Sequence, residues 1–129
     1  MCQRPLGPQD FVLRIVRTSK AGHANLAHST LAFTLLEDGN GAYATVLYEP
    51  LAELAAHYHA PASQLLGHAV AHEIGHLFLG ANSHSPHGLM RARWDENDVQ
   101  RAVERNLLFT RQQAELIRAR MLAARREVN

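Results

Sequence analysis

The chain has 129 residues, 47% of them hydrophobic, which is enough for one domain with a real core and too few for a second of ordinary size. Thirteen Lys and Arg stand against twelve Asp and Glu, and a net charge of +1 excludes a global field that would gather nucleic acid or an acidic partner. A lone cysteine, Cys2, excludes an internal disulfide, and the opening MCQRPLGPQD holds no apolar run of the length a signal peptide or membrane span requires, so the chain as it stands reads as cytoplasmic, with no membrane partner.

Residues 11–17, FVLRIVR, alternate apolar and polar positions with β-branched content and read as a half-buried strand. A loop of small and polar residues, TSKAGHANLAHS, follows. Residues 31–36 read as a second strand and residues 42–48 as a third, with Asp38-Gly39 and Asn40-Gly41 supplying the turn chemistry of a hairpin. Pro50 suits the first turn of a short helix through Tyr58. Pro61 lies near the start of a stronger helix to about Leu79, with Gly80 expected at C′ to stop it. After a loop over residues 81–93, Asp95 or Trp94 starts a helix with Val99, Val103 and Leu107 at helical spacing. Thr110 begins the last helix, and Gln113 is placed to complete a capping box. Ala114, Ile117, Met121 and Ala124 form its apolar stripe; the arginines on the other side read as the solvated face of a packing helix, not as a nucleic-acid surface. The chain contains no internal repeat, low-complexity tract or linker.

Histidine is the unusual entry in the composition: there are nine, and His68, His72, His76, His84 and His87 fall in one short stretch. Within it, His72-Glu73-Ile74-Gly75-His76 has the HExxH form. On a helix, positions i and i+4 lie about 40° apart around the axis and about 6 Å apart along it, so two imidazoles can converge on one ion. Zinc takes neutral imidazole nitrogens in tetrahedral geometry. Glu73 follows the first of the pair, so its carboxylate can reach a water at an open metal position and act as the general base without being a ligand. Leu65, Leu66, Ala69, Val70, Ile74, Leu77 and Phe78 supply apolar positions that would bury this helix. A buried helix has little reason to turn two histidines and a glutamate inward unless an ion offsets their desolvation, and the bland alternative is a solvent-facing polar stripe. His68, one turn before His72, suits a structural or supporting role, because three ligands in a row on a straight helix splay too far for one ion. His23, His28, His57 and His59 read as surface residues.

The whole stretch HEIGHLFLGANSHSPHGLM resembles the metzincin zinc peptidases, and the matrixins in particular, over His72 to Met90. The resemblance implies one Zn²⁺ held by His72, His76 and His84, Glu73 as the catalytic base, Gly80 as the chain-reversing glycine and Met90 as the methionine of the Met-turn. The spacing departs from the family pattern: Gly80 is four residues after His76 and His84 four beyond that, so an ungapped overlay places Asn82 at the third position. Imidazole is the better zinc ligand, which favours His84, with His87 in the same loop as its competitor. Zincins also place an edge strand beside the metal cleft to pair with an extended substrate, and the third strand, residues 42–48, is the candidate.

The fold expected is α+β and zincin-like, a small twisted sheet of about three strands packed on the active-site helix, with two C-terminal helices closing a single domain over residues 1–129. The resemblance implies a further helix and strand ahead of Phe11, which residues 1–10 are too few to supply. The alternatives are a minimal version of the fold and a truncated N-terminus, and truncation would also have removed a partner for Cys2 and a secretion signal, making this a secreted protein. The function expected is hydrolysis of peptide bonds in a peptide or protein substrate. A zinc-binding domain without catalysis and a non-peptidase zinc hydrolase are the alternatives.

Overall fold

A computed structural model describes residue 7 and residues 10–17, 31–36 and 42–128. Its elements are β1 (Phe11–Val16), β2 (Ala32–Leu36), β3 (Ala42–Leu47), α1 (Tyr48–His57), α2 (Ala62–Leu79), α3 (Glu96–Val103) and α4 (Arg111–Val128). The expected turn at residues 37–41, the loop at residues 18–29 with His23 and His28, and Cys2 lie outside the described residues. Among the described residues, no helix is long and apolar enough to cross a membrane.

The three strands form one mixed sheet in the order β1-β3-β2. β2 runs antiparallel to β3, with Thr34 opposite Ala44, as the hairpin reading requires. β1 runs parallel to β3, with Phe11 opposite Ala42 and Val16 opposite Leu47. β3 is therefore the central strand. This corrects the assignment of residues 42–48 to the substrate-side edge, because both edges of β3 are already paired. Its last four residues, Ala44 to Leu47, are all buried, as a central strand's should be. The strand beside the candidate site is β2, whose other edge has no partner among the described residues. β1 also departs from the half-buried expectation. Phe11, Leu13 and Ile15 share a sheet face with Ala42, Ala44 and Val46, yet stay 36%, 37% and 51% exposed, since α2 lies over β2 and β3.

The core joins Val46 of β3, Leu51 and Ala55 of α1, Leu65 and Ala69 of α2, Val99 and Ala102 of α3, and two loop residues, Leu89 and Leu107. Pro50 is the third residue of α1, within the first turn, where a missing N–H costs no intrahelical bond. Pro61 is the N-cap of α2 with φ −66° and ψ 125°. Gly80 ends α2 from the C-cap itself, one position earlier than the expected C′, with φ 102° and ψ 166°, a combination open in practice only to glycine. Its N–H closes the last turn on the His76 carbonyl at 2.9 Å.

Asp95 is the N-cap of α3 and forms a reciprocal box with Asp98, whose own N–H bonds the Asp95 side chain at 3.0 Å. The helix then stops at Val103. Glu104 caps it and Arg105 turns the chain with φ 60°, so Leu107 reaches the core from a loop and not from the helix stripe assigned to it. The capping box at the head of α4 forms as expected: Thr110 N–H meets Gln113 Oε1 at 2.9 Å and Gln113 N–H meets Thr110 Oγ1 at 3.2 Å. Of the stripe assigned to α4, Ala114, Ile117 and Ala124 are half-buried, whereas Met121 is 53% exposed.

Candidate metal centre

On α2 the buried positions Leu65, Ala69, His72 and His76 follow one another at helical spacing, so the face that begins as core continues as imidazoles. His72 is 8% exposed, His76 6% and Glu73 3%. The loop after Gly80 returns and brings His84, itself exposed, to the same point. His76 Nε2 lies 3.2 Å from His72 Nε2 and 3.1 Å from His84 Nε2, and the three donor atoms all fall within 4.8 Å of one another. Two nitrogens bound at about 2.1 Å in tetrahedral geometry stand about 3.4 Å apart, so this trio is close enough to hold one metal ion.

The hydrogen bonds on the far side of each ring decide what the converging atoms are. His72 Nδ1 is 2.7 Å from the Leu89 carbonyl, and His76 Nδ1 is 3.0 Å from the Gly80 carbonyl. A carbonyl only accepts, so each Nδ1 carries the proton and donates it, leaving Nε2 with a free lone pair in the neutral ring. Two such lone pairs about 3 Å apart repel, and a cation between them turns the repulsion into coordination. Burial drives the His72 pKa down to about 4, against the smaller opposing effect of the Leu89 carbonyl, and the neighbouring imidazoles push it the same way as burial. His84 is also lowered, by desolvation first and by His76 second. Both shifts favour the neutral ring of His72 and His84, the state in which imidazole ligates.

The remaining candidates separate cleanly. His68 is outside the cluster; its Nδ1 lies 2.7 Å from the Gln64 carbonyl one turn earlier. His87 is exposed and also outside it, and its backbone carbonyl accepts from Ser85 Oγ at 2.8 Å. Asn82 is exposed. Met90 is fully buried, and its sulfur packs against Gly75, between the two helix histidines in sequence. The loop carrying it is held at several points: Ser85 N–H on the Met90 carbonyl at 3.0 Å, Leu89 N–H on the Leu108 carbonyl at 2.8 Å, and Gln113 Nε2 on Ser85 Oγ at 3.0 Å. Gly88 has φ 79° and a Cβ there would sit 2.6 Å from the Leu108 carbonyl, so glycine is required twice over. Next in sequence to Met90, Arg91 bridges Asp95 at 2.9 Å and the buried Asp98 at 2.8 Å, which ties the loop to the head of α3.

Three residues at the site escaped sequence reasoning. Ser83 Oγ lies 3.0 Å from His76 Nδ1 and donates to the Gly80 carbonyl at 2.5 Å. Trp94 meets the His72 ring edge to face at 6.1 Å, and its Nε1–H reaches the Leu89 carbonyl at 3.4 Å. Thr34 of β2 donates to Glu73 Oε2 at 2.5 Å. Burial raises the Glu73 pKa, while Thr34 and His76 pull it back down. Ser83 sits beside a glycine in a turn and was within reach of a capping argument; Thr34, 39 residues from its partner, carried no local signal.

Comparison with family models, with curated proteins and with solved structures finds no match to this chain.

Proposed function

We propose that this chain is a zinc-dependent peptidase of the zincin type, in which His72, His76 and His84 hold one Zn²⁺ and Glu73 is the general base. The observation that carries the reading is the pairing of three converging imidazole nitrogens, two with their tautomer fixed by backbone carbonyls, with a carboxylate that is 3% exposed and one residue from a ligand. A purely structural ion would need no such acid, and burying one costs free energy that a fold without catalysis has no reason to carry. Bound in that trio, zinc would supply Lewis acidity toward a carbonyl and toward water.

Glu73 takes a proton from the attacking water and returns it to the departing amine. Burial raises its pKa above the ordinary carboxyl value, which favours the protonated form that the second transfer needs. Met90 shapes the packing beneath the imidazoles without ligating, since a thioether is a weak zinc donor. An extended peptide would lie along the edge of β2 that has no partner among the described residues, the strand whose Thr34 reaches Glu73.

The reading is tested with purified full chain loaded with zinc and offered a mixture of unstructured peptides. Cleavage that stops on chelation and resumes with added zinc is expected. Glu73→Gln should keep the ion and the fold while lowering the rate by the roughly 10²- to 10⁴-fold typical of general acid–base catalysis. A fully metallated wild type that leaves every peptide intact would sink the peptidase reading in favour of a zinc-stabilised module.

A further inference from the structure

The hydroxyl of Thr34 is the one side-chain donor that reaches Glu73 among the described residues, and it comes from the edge strand and not from the helix or the returning loop. It lies 2.5 Å from Oε2 and 3.4 Å from the Glu73 backbone carbonyl, while no donor among the described residues meets Oε1. The register holds it there: Thr34 is opposite Ala44, whose side chain is small and fully buried, on the sheet face that α2 covers. A carboxylate with one oxygen tied and the other free is no longer symmetric.

We propose that Thr34 is a positioning residue for the base, which keeps Oε2 as a hydrogen-bond acceptor so that Oε1 alone exchanges the proton, and which ties the base to the strand along which the peptide lies. The inference rests on the peptidase reading. In the first half of the reaction the O–H bond of water breaks, its electron pair stays on that oxygen as it bonds to the scissile carbon, the carbonyl π pair moves onto the carbonyl oxygen, and the proton binds Oε1. An Oε2 already accepting from a hydroxyl is the weaker competitor for that proton. In the second half that oxygen pair re-forms the carbonyl as the C–N bond breaks, nitrogen keeps the C–N pair, and the proton passes from Oε1 to nitrogen, leaving the carboxylate as it began. Because the same short strand offers substrate the edge that is unpaired among the described residues and offers its hydroxyl to Glu73, any shift of β2 on binding moves base and scissile bond together. Positional errors on the order of 1 Å cost about 10²-fold in rate, so a shared mount has a measurable effect.

The test uses the zinc-loaded full chain with Thr34→Val, which keeps shape and strand preference but removes the donor, and Thr34→Ser, which restores the donor. Thr34→Val should bind zinc like the wild type and lose about 10- to 100-fold in kcat with KM within about twofold. Thr34→Ser should return kcat to within about threefold of the wild type, a recovery that a merely structural role would not give. Independently of activity, the ¹³Cδ signal of Glu73, assigned by its absence in Glu73→Gln, should move in Thr34→Val and return in Thr34→Ser, with and without zinc. An active wild type whose kcat and Glu73 signal are both untouched by Thr34→Val overturns the inference alone. So does a loss in Thr34→Val that Thr34→Ser fails to recover. A metal-loaded wild type without activity overturns the peptidase reading and the catalytic role of Thr34 with it, even where the Glu73 signal shows the hydrogen bond intact.

Discussion

At the scale of single residues, the centre separates the histidines that converge from those that do not by where each ring nitrogen already points. His72, His76 and His84 aim nitrogens at one another, whereas His68 has its Nδ1 on the Gln64 carbonyl and His87 stands in solvent. Alanine at position 72, 76 or 84 should lower zinc affinity by more than the roughly 10- to 100-fold that loss of a supporting hydrogen-bond partner costs. His68→Ala and His87→Ala should leave it within a few-fold. Calorimetric titration of metal-free protein with zinc measures all five, and binding lost in His87→Ala but kept in His84→Ala would exchange the third ligand. The first two imidazoles of the cluster and the acid beside them were legible because HExxH is a local pattern with one geometric meaning on a helix. The third was legible only as a choice between two histidines, because it depends on how the loop after Gly80 folds back, and that is fixed by contacts to residues as distant as Leu108 and Gln113.

Among elements, α2 packs closely at Gly75 against the turn ending in Met90. A Cβ on Gly75 would stand 2.5 Å from the Met90 sulfur and 2.8 Å from the Phe109 ring, so Gly75→Ala should destabilise the fold by about 1–3 kcal/mol, as overpacking does. On the same helix nothing lies within 4 Å of a Cβ on Gly67, and Gly67→Ala should instead stabilise by about 0.5–1 kcal/mol by relieving glycine's entropy cost. One substitution type on one helix is thus expected to take opposite signs, which chemical denaturation of the two variants decides; equal signs would refute the packing account. Met90→Leu, a volume-conserving swap, should cost less than about 1.5 kcal/mol and keep the ion. Element positions were largely readable, since Pro50, Pro61, Gly80, Asp95 and the Thr110–Gln113 box mark boundaries by local chemistry. Strand order was not. Residues 42–48 look the same in sequence as centre or edge, and only the parallel pairing of β1 with β3 decides it. Leu107 illustrates the same limit, for its helical spacing from Val103 is coincidence once Arg105 turns the chain.

For the molecule as a whole, the centre couples folding to protons. His72 titrates near 4 in the folded chain against 6.5 when free, so between those values the unfolded chain holds a proton that the folded chain excludes. Stability of the metal-free protein should therefore be full above about pH 6.5 and fall as pH drops toward 4, by on the order of 3 kcal/mol over the window. His84 acts in the same direction; Glu73, whose pKa is raised, acts in the opposite one from 4.5 upward. Thermal denaturation of metal-free protein at pH 7, 6 and 5 should show a falling Tm, and a flat profile would mean that His72 is not buried as a neutral ring. Zinc should raise Tm most at the neutral end, where the imidazoles are free to ligate. The two hydrogen bonds that set the imidazole tautomers end on peptide carbonyls, at Leu89 and Gly80, and every amino acid carries that acceptor. What positions 80 and 89 must preserve is a backbone conformation and a volume, not a functional group. Supports of this kind leave almost no mark in an alignment. Two chains could hold the same ion by the same wiring and share little beyond three imidazoles and one acid.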